Sequence, residues 1–353
     1  MKEVEKGLDV VLSSPDMDMR SKKNVAFFCQ KALMVSDYSN ATENFRKLFG
    51  FRFIKIFGSQ YGFTTDVQHN MIVSNYIVNS HFNISVYFLY SEAHITADDT
   101  LEGIDHLFIG LQEVGCRMDT YNYTLSLLLY KCIDKNTEII ALDRPKPLNE
   151  IDIEGNILNL EFKSHIGRYL LPARHALTIG EIALLHQKKW AQGKINLTVI
   201  KMQNWERNLF FEDTVLRWIL PLSNLAKAKS TCAFPSTVLF EGTKLSDGRG
   251  TAKVLEIIEH PKNEPYSFYK NRLKSVFKNE ILSVFTWRPI IFLLTFQKYF
   301  GKVCGEFEIF VTDKTNFKPW RVAQPLIGEL YSYLVNNFVG KHSTYEYNYA
   351  QNQ

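Results

Sequence analysis

The sequence predicts an α/β fold, a parallel sheet covered by helices, followed by a smaller α+β domain. Three observations point to it. Strand-like and helix-like segments alternate through the first two-thirds of the 353 residues, the pattern of βαβ units. Runs such as Ile139-Ile140-Ala141-Leu142 are apolar on both faces, as parallel strands buried beneath helices must be. From about residue 253 the alternation stops, and the chain is long for one core.

The elements follow in order. Residues 8–12 form an apolar, strand-like opening, and 25–28 a strand. Residues 41–49 read as a helix with Asn40 as N-cap, because an Asx side chain satisfies the first free N–H groups. Strands follow at 51–57 and 104–111, then apolar residues at helical spacing over 122–132. Residues 138–142 make a strand that Asp143-Arg144-Pro145 ends. Residues 178–187 read as a helix, with Thr178 and Glu181 in the spacing of a capping box, and 195–202 as a strand. Beyond the boundary come a basic helical segment (266–278), apolar residues at 281–285, an alternating strand at 306–312 and a closing helix at 325–338. The expected domains are therefore 1–252, carrying the ligand cleft, and 253–353.

Composition bounds the function. Hydrophobic residues at 46% and charged residues at 22% describe an ordinary globular chain. The net charge of +4 and the lack of a basic run interleaved with aromatics argue against nucleic acid. Five scattered cysteines without a CxxC pair read as buried free thiols, neither a disulfide framework nor a metal site. No His-Glu-x-x-His or similar spacing points to metal, and no cofactor is expected. The N-terminus shows no leader pattern, and the apolar stretch 289–296 is too short to span a bilayer. The expectation is a cytoplasmic chain without a membrane partner.

Polar clusters fall where strands end, which is where open α/β sheets bind ligands. Gln112-Glu113-Val114-Gly115-Cys116-Arg117 leads through Asp119-Thr120-Tyr121 into a helix, and Asp143-Arg144-Pro145-Lys146-Pro147 follows the next strand. Pro172-Ala173-Arg174-His175 precedes the Thr178 cap, and residues 241–251 form a Gly-rich loop with four charges. That loop is no P-loop, since no Gly-Lys-Ser/Thr closes it, and no Gly-x-Ser-x-Gly elbow marks a serine hydrolase. His175 reads equally as a stapling histidine and as a ligand contact.

Taken together these clusters resemble the NamZ-type exo-β-N-acetylmuramidases, from Gly7-Leu8-Asp9-Val10 to Val311-Thr312-Asp313. The most specific pieces are Leu142-Asp143-Arg144-Pro145, Arg174-His175 with Thr178-Ile179-Gly180-Glu181, Trp205 with Arg207, and Phe240-Glu241-Gly242-Thr243 with Gly248-Arg249-Gly250-Thr251. The resemblance implies a Rossmann-like domain with a smaller C-terminal domain. It also implies a cleft for terminal N-acetylmuramic acid, which the family releases from peptidoglycan fragments, its members usually being exported. The family's catalytic glutamate lies in a Ser-Pro-Glu-His-Gly motif. Here that motif reads Gly58-Ser59-Gln60-Tyr61-Gly62, so Gln60 replaces the acid and Tyr61 the histidine. Other changes are Gly110 and Glu113 for aspartates, Met118 for phenylalanine, Asp119 for tyrosine and Lys244 for asparagine.

The resemblance thus places Gln60, Tyr61, Asp119 and Tyr121 at the catalytic centre, and Gln112, Arg117, Asp143, Arg144, Arg174, His175, Glu241 and Arg249 around the sugar. An amide cannot transfer a proton as a carboxylic acid does. Asp119 is then either a relocated acid or a loop aspartate. Arg174, Arg144 and Arg249 could each hold the lactyl carboxylate of muramic acid, or pair with neighbouring acids. Three readings stay open: an active muramidase with a moved acid, a catalytically inactive muropeptide- or sugar-binding protein, and a relative that has lost its ligand.

Overall fold

The computed structural model describes residues 3–14, 23–59, 76–89, 98–273 and 284–340. Two compact units separate, one of Met1–Ile153 with Ile157–Ala226, the other of Glu154–Asn156 with Lys227–Gln353.

The first unit is built on seven strands: β1 (Val25–Cys29), β2 (Phe53–Gly58), β3 (Tyr76–Asn79), β4 (Ile84–Phe88), β5 (His106–Gly110), β6 (Glu138–Leu142) and β9 (Leu197–Ile200). Two short strands, β7 (Glu154–Ile157) and β8 (Pro172–Arg174), come between β6 and β9 in the chain. The sheet order is β3-β4-β2-β1-β5-β6-β9, parallel throughout except for the antiparallel edge strand β3.

Period-two alternation explains the all-apolar strands. Phe28, Leu107, Ile109, Ile139 and Ala141 face one core with α3 (Thr120–Lys131) and α4 (Ile179–Leu185). Phe27, Phe108, Ile140 and Leu142 face the other, with α1 (Gly7–Ser13) and α2 (Ala41–Phe49). Phe45 of α2 stacks on Phe27 at 4.0 Å and meets Phe108 edge-on at 5.0 Å, geometries that add to plain burial. Asn40 caps α2 as its position predicts, accepting the Thr42 N–H at 2.7 Å. The capping box of Thr178 and Glu181 is present on α4.

Residues 8–12 are a correction: they belong to helix α1, not to a strand. The Asp9 carboxylate accepts the Lys6 N–H at 3.2 Å and closes the first turn, and Leu8 and Val11, three apart, turn inward together. Gly7 donates its N–H to the Asp143 carbonyl at 2.8 Å. A Cβ there would stand 2.5 Å from the Ile200 carbonyl oxygen and 2.7 Å from the Asp143 nitrogen. Gly7→Ala should therefore cost about 1–3 kcal/mol by overpacking, read by urea unfolding. A loss below about 0.5 kcal/mol, the range of a neutral surface change, would refute the close docking of α1.

The second unit has an antiparallel sheet ordered β10 (Ile257–His260), β12 (Val303–Val311), β11 (Phe285–Leu293). Helices α5 (Ser230–Thr237), α6 (Pro265–Phe268) and α7 (Pro319–Leu334) accompany it. The division at Ala226/Lys227 precedes the boundary expected near residue 252. Its reason is packing: Ala233, Phe240 and Leu245 share a core with Phe285, Trp287, Phe307 and Leu326. Residues 154–156 belong here too, and Glu154 accepts the Trp320 N–H at 3.1 Å. The expected basic helix is described to Leu273, as α6 continued by a wider turn over Tyr269–Leu273. Residues 274–283 lie outside the described residues. The closing helix starts earlier than expected, with Pro319 in its first turn, where a missing N–H costs nothing.

All five cysteines are buried free thiols. Burial pushes Cys29 and Cys132 up to about 12. Among the described residues no helix is long and apolar enough to cross a membrane.

Candidate functional site

Because β5 and β6 are parallel neighbours, their carboxyl ends open on the same edge of the sheet. The loop after β5 carries Gln112 to Asp119, and the loop after β6 carries Asp143 to Glu150. The His175 segment, after β8, joins them.

Glu113 is the centre of this cluster. Its Oε1 accepts the N–H groups of Gly115 at 2.6 Å and Cys116 at 3.1 Å, and the Asn122 amide at 3.2 Å. His175 Nε2 lies 3.1 Å from the same oxygen. The His175 Nδ1 accepts the Leu177 N–H at 3.2 Å, so the ring proton sits on Nε2 and is donated to Glu113. A left-handed Ala176, at φ +50°, turns the chain back to make that contact. Burial alone would push Glu113 up, but His175, Lys146 and the Gly115 N–H outweigh it and hold the carboxyl below its ordinary value. Burial lowers His175. The pair is therefore a carboxylate held by a neutral imidazole.

Asp119 is the N-cap of α3. One oxygen accepts the Tyr121 N–H and the other the Val114 N–H, both at 3.1 Å. Burial first, and Glu113 second, push its carboxyl well up, so it holds a proton readily, but it is 4% exposed, one oxygen serves the helix terminus and the other the backbone of the preceding loop. Asp119→Asn should leave any muramidase activity unchanged, and cost about 1 kcal/mol of stability as a weakened cap does. Abolished turnover in a normally folded variant would restore it as the acid.

The other expected residues also have defined positions. Gln112 donates to the carbonyls of Glu113 and Pro145, at 3.2 and 3.1 Å, tying the two loops together. Tyr121 is buried and donates its hydroxyl to the Pro221 carbonyl at 2.7 Å. Arg117 donates to the Leu171 carbonyl at 2.6 Å. Asp143 accepts the Thr178 hydroxyl at 3.0 Å and the Gly180 N–H at 3.1 Å, stapling β6 to α4. Burial raises it to about 6. Arg144 donates to the Ala32 carbonyl at 3.3 Å, and burial lowers it to about 10. Arg174, 1% exposed, holds Asn149 at 2.9 Å and Asp152 at 3.4 Å.

Glu241 and Arg249, expected within the first domain (1–252), lie in the second unit. Arg249 pairs with Glu241 and, at 3.3 Å, with Asp247. Gly248 and Gly250 adopt φ +85° and +95° in this loop, a conformation that favours glycine. Gln60 and Tyr61 lie outside the described residues; β2 ends at Gly58, two positions before Gln60.

The structure brings in side chains that the sequence reading did not single out: Glu113, Asn122, Lys146 and Glu150. Lys146 and Glu150 are 2% and 3% exposed, and among the described residues neither the Nζ nor either carboxyl oxygen has a hydrogen-bond partner. Lys146 Nζ lies 3.4 Å from where a Cβ on Gly115 would stand, over the turn that cradles Glu113. Burial pushes Glu150 up to about 8 and Lys146 below the usual lysine value. The available signal was their place four residues apart in the loop after β6. A half-open cavity of about 390 Å³, its mouth included, borders the cluster through Arg117 and Asn122 and is otherwise lined by Tyr123, Arg168, His186 and Trp190 among others.

The chain matches two family models, exo-β-N-acetylmuramidase NamZ, N-terminal, over residues 25–229 and the corresponding C-terminal model over 232–349. It is 31% identical over 337 residues to the peptidoglycan β-N-acetylmuramidase NamZ of Bacillus subtilis, covering 95% of this chain and 79% of that protein. Two crystal structures of DUF1343 family proteins from Bacteroides fragilis share the fold. One has TM-score 0.85 at 20% identity, covering 95% of this chain and 84% of that one. The other has TM-score 0.70 at 21% identity, covering 99% and 90%. Both family models and this long alignment establish that the chain belongs to the NamZ exo-β-N-acetylmuramidase family.

Proposed function

We propose that this protein recognises a terminal N-acetylmuramic acid of peptidoglycan fragments and releases it slowly, its catalysis impaired by Gln60. Family membership supports a glycoside hydrolase-like role on peptidoglycan. The observation that carries the impairment is the amide at residue 60, where the resemblance expects the catalytic glutamate. A carboxamide can hydrogen-bond the departing oxygen but cannot hand it a proton, and general acid catalysis typically contributes about 10²–10⁴-fold. Asp119 does not compensate, since its carboxyl caps α3.

A second reading is a sugar- or muropeptide-binding protein without turnover. It is favoured by the same committed Asp119 and by the dense hydrogen bonding retained around Glu113 and His175. Incubation with a chromogenic N-acetylmuramic acid β-glycoside separates the two. Slow, saturable release supports the impaired hydrolase; saturable calorimetric heat without release supports the binding protein. Neither heat nor release would remove both.

A further inference from the structure

The loop after β6 holds two ionisable side chains that the fold itself leaves unanswered. Lys146 Nζ and both carboxyl oxygens of Glu150 are buried and, among the described residues, without a hydrogen-bond partner. The Lys146 backbone N–H comes near the Glu150 carboxyl, but not in hydrogen-bond geometry. A buried ammonium without a partner costs far more than an exposed one, and native folds keep such groups where something else satisfies them. The arginines that the resemblance places around the sugar are already engaged. Arg174 holds Asn149 and Asp152, Arg144 holds the Ala32 carbonyl, and Arg249 holds Glu241 and Asp247. Lys146 differs from them: it feels the Glu150 and Glu113 carboxylates only through space, and its Nζ makes no hydrogen bond among the described residues.

We propose that Lys146 and Glu150 form a polar subsite for a ligand carboxylate flanked by a hydroxyl or amide hydrogen. The ammonium takes the carboxylate, and Glu150 takes the neighbouring polar hydrogen. Resting on the reading above, the ligand group is the lactyl carboxylate of muramic acid, which separates that sugar from N-acetylglucosamine. Three features support the assignment. The amine lies over the Gly115 turn, at the sheet edge where the Glu113 cluster sits. Burial holds Lys146 below its usual value, so an arriving carboxylate restores a charge that the empty site disfavours. The two residues come from one short loop, so their separation is set by local backbone.

The test is calorimetry with N-acetylmuramic acid, N-acetylglucosamine and D-lactate as probes, on the full chain and on Lys146→Met, Lys146→Arg and Glu150→Ala. The native protein should prefer the muramic over the glucosamine sugar by at least roughly tenfold, the worth of one charge-assisted bond. Lys146→Met should abolish that preference and the lactate heat, and Lys146→Arg should keep both. Glu150→Ala should weaken both sugars by a similar factor and leave their ratio unchanged. Lys146→Met also takes a positive charge away from Glu113 and Glu150, so it should melt lower than the native protein, and Lys146→Arg, which keeps the charge, separates that loss from the loss of binding. A preference that survives in Lys146→Met overturns the subsite and leaves the sugar reading intact. Lactate binding that needs Lys146, without heat from either sugar, keeps the subsite and removes the sugar reading. Silence from all three probes removes both.

Discussion

Replacing Gln60 by glutamate should raise the release of N-acetylmuramic acid from a chromogenic β-glycoside by about 10²–10⁴-fold, the usual contribution of a positioned general acid. The expectation follows from one atom exchange: a glutamic acid O–H gives its proton to the glycosidic oxygen as the bond to the anomeric carbon breaks, and glutamine has no proton to give. The rate gain should appear in kcat with KM little changed, because the substituted group acts on the transition state. It should also bring an alkaline limb to the pH profile, activity falling as the new carboxyl loses its proton, that the native protein lacks. An unchanged kcat in a well-folded Gln60→Glu protein would show that more than one group has been lost. The changes at Tyr61 and Asp119 would then be the next to revert.

His175→Ala should destabilise the first unit by about 3 kcal/mol, the scale of breaking a buried hydrogen-bonded pair. The imidazole satisfies Glu113 Oε1 and receives the Leu177 N–H, so its removal strands a buried carboxylate and opens a void. The loss should depend on pH in a stated direction. His175 lies below its ordinary 6.5 and Glu113 below its ordinary 4.5. For both groups the unfolded chain therefore binds more protons, and their contribution is present at higher pH and lost on acidification. The difference between native protein and variant should be greatest near neutrality and shrink as pH falls through 6.5, as read by urea unfolding at a series of pH values. A difference that grows on acidification would mean a charged imidazole paired with Glu113, and would overturn the neutral assignment.

The sheet was readable from the sequence because its strands are buried on both faces, and continuous apolar runs announce that directly. The same reasoning placed α2 to the residue, since Asn40 is an unambiguous cap. It failed at residues 8–12, where seven helical residues give too short a period to tell from a strand and the deciding contacts lie with Asp143, far along the chain. It set the domain boundary late, because the Gly-rich loop looks like a linker while Phe240 and Leu245 are core residues. Strand β4 does alternate, with Ile84, Val86 and Phe88 buried and Ser85 and Tyr87 half-buried, a short signal that the sequence reading did not take up. At the site, the strand-end clusters were legible as clusters, but roles were not. Asp119 read either as a relocated acid or as a loop aspartate, because a cap looks the same as any loop aspartate until the helix start is fixed. Glu113 read as a mere substitution, because its partners Asn122 and His175 are distant in the chain.

The docking of α1 orders events during biosynthesis. Glu5 bridges Gln203, Val4 donates to the Thr214 carbonyl, and Gly7 reaches Asp143. Helix α1 therefore finds its seat only after β9 has followed. At about 5–20 residues per second, that is a wait of roughly ten to forty seconds. Throughout that interval Leu8 and Val11 have no finished surface to cover, and this short amphipathic stretch is exposed to nascent-chain chaperones.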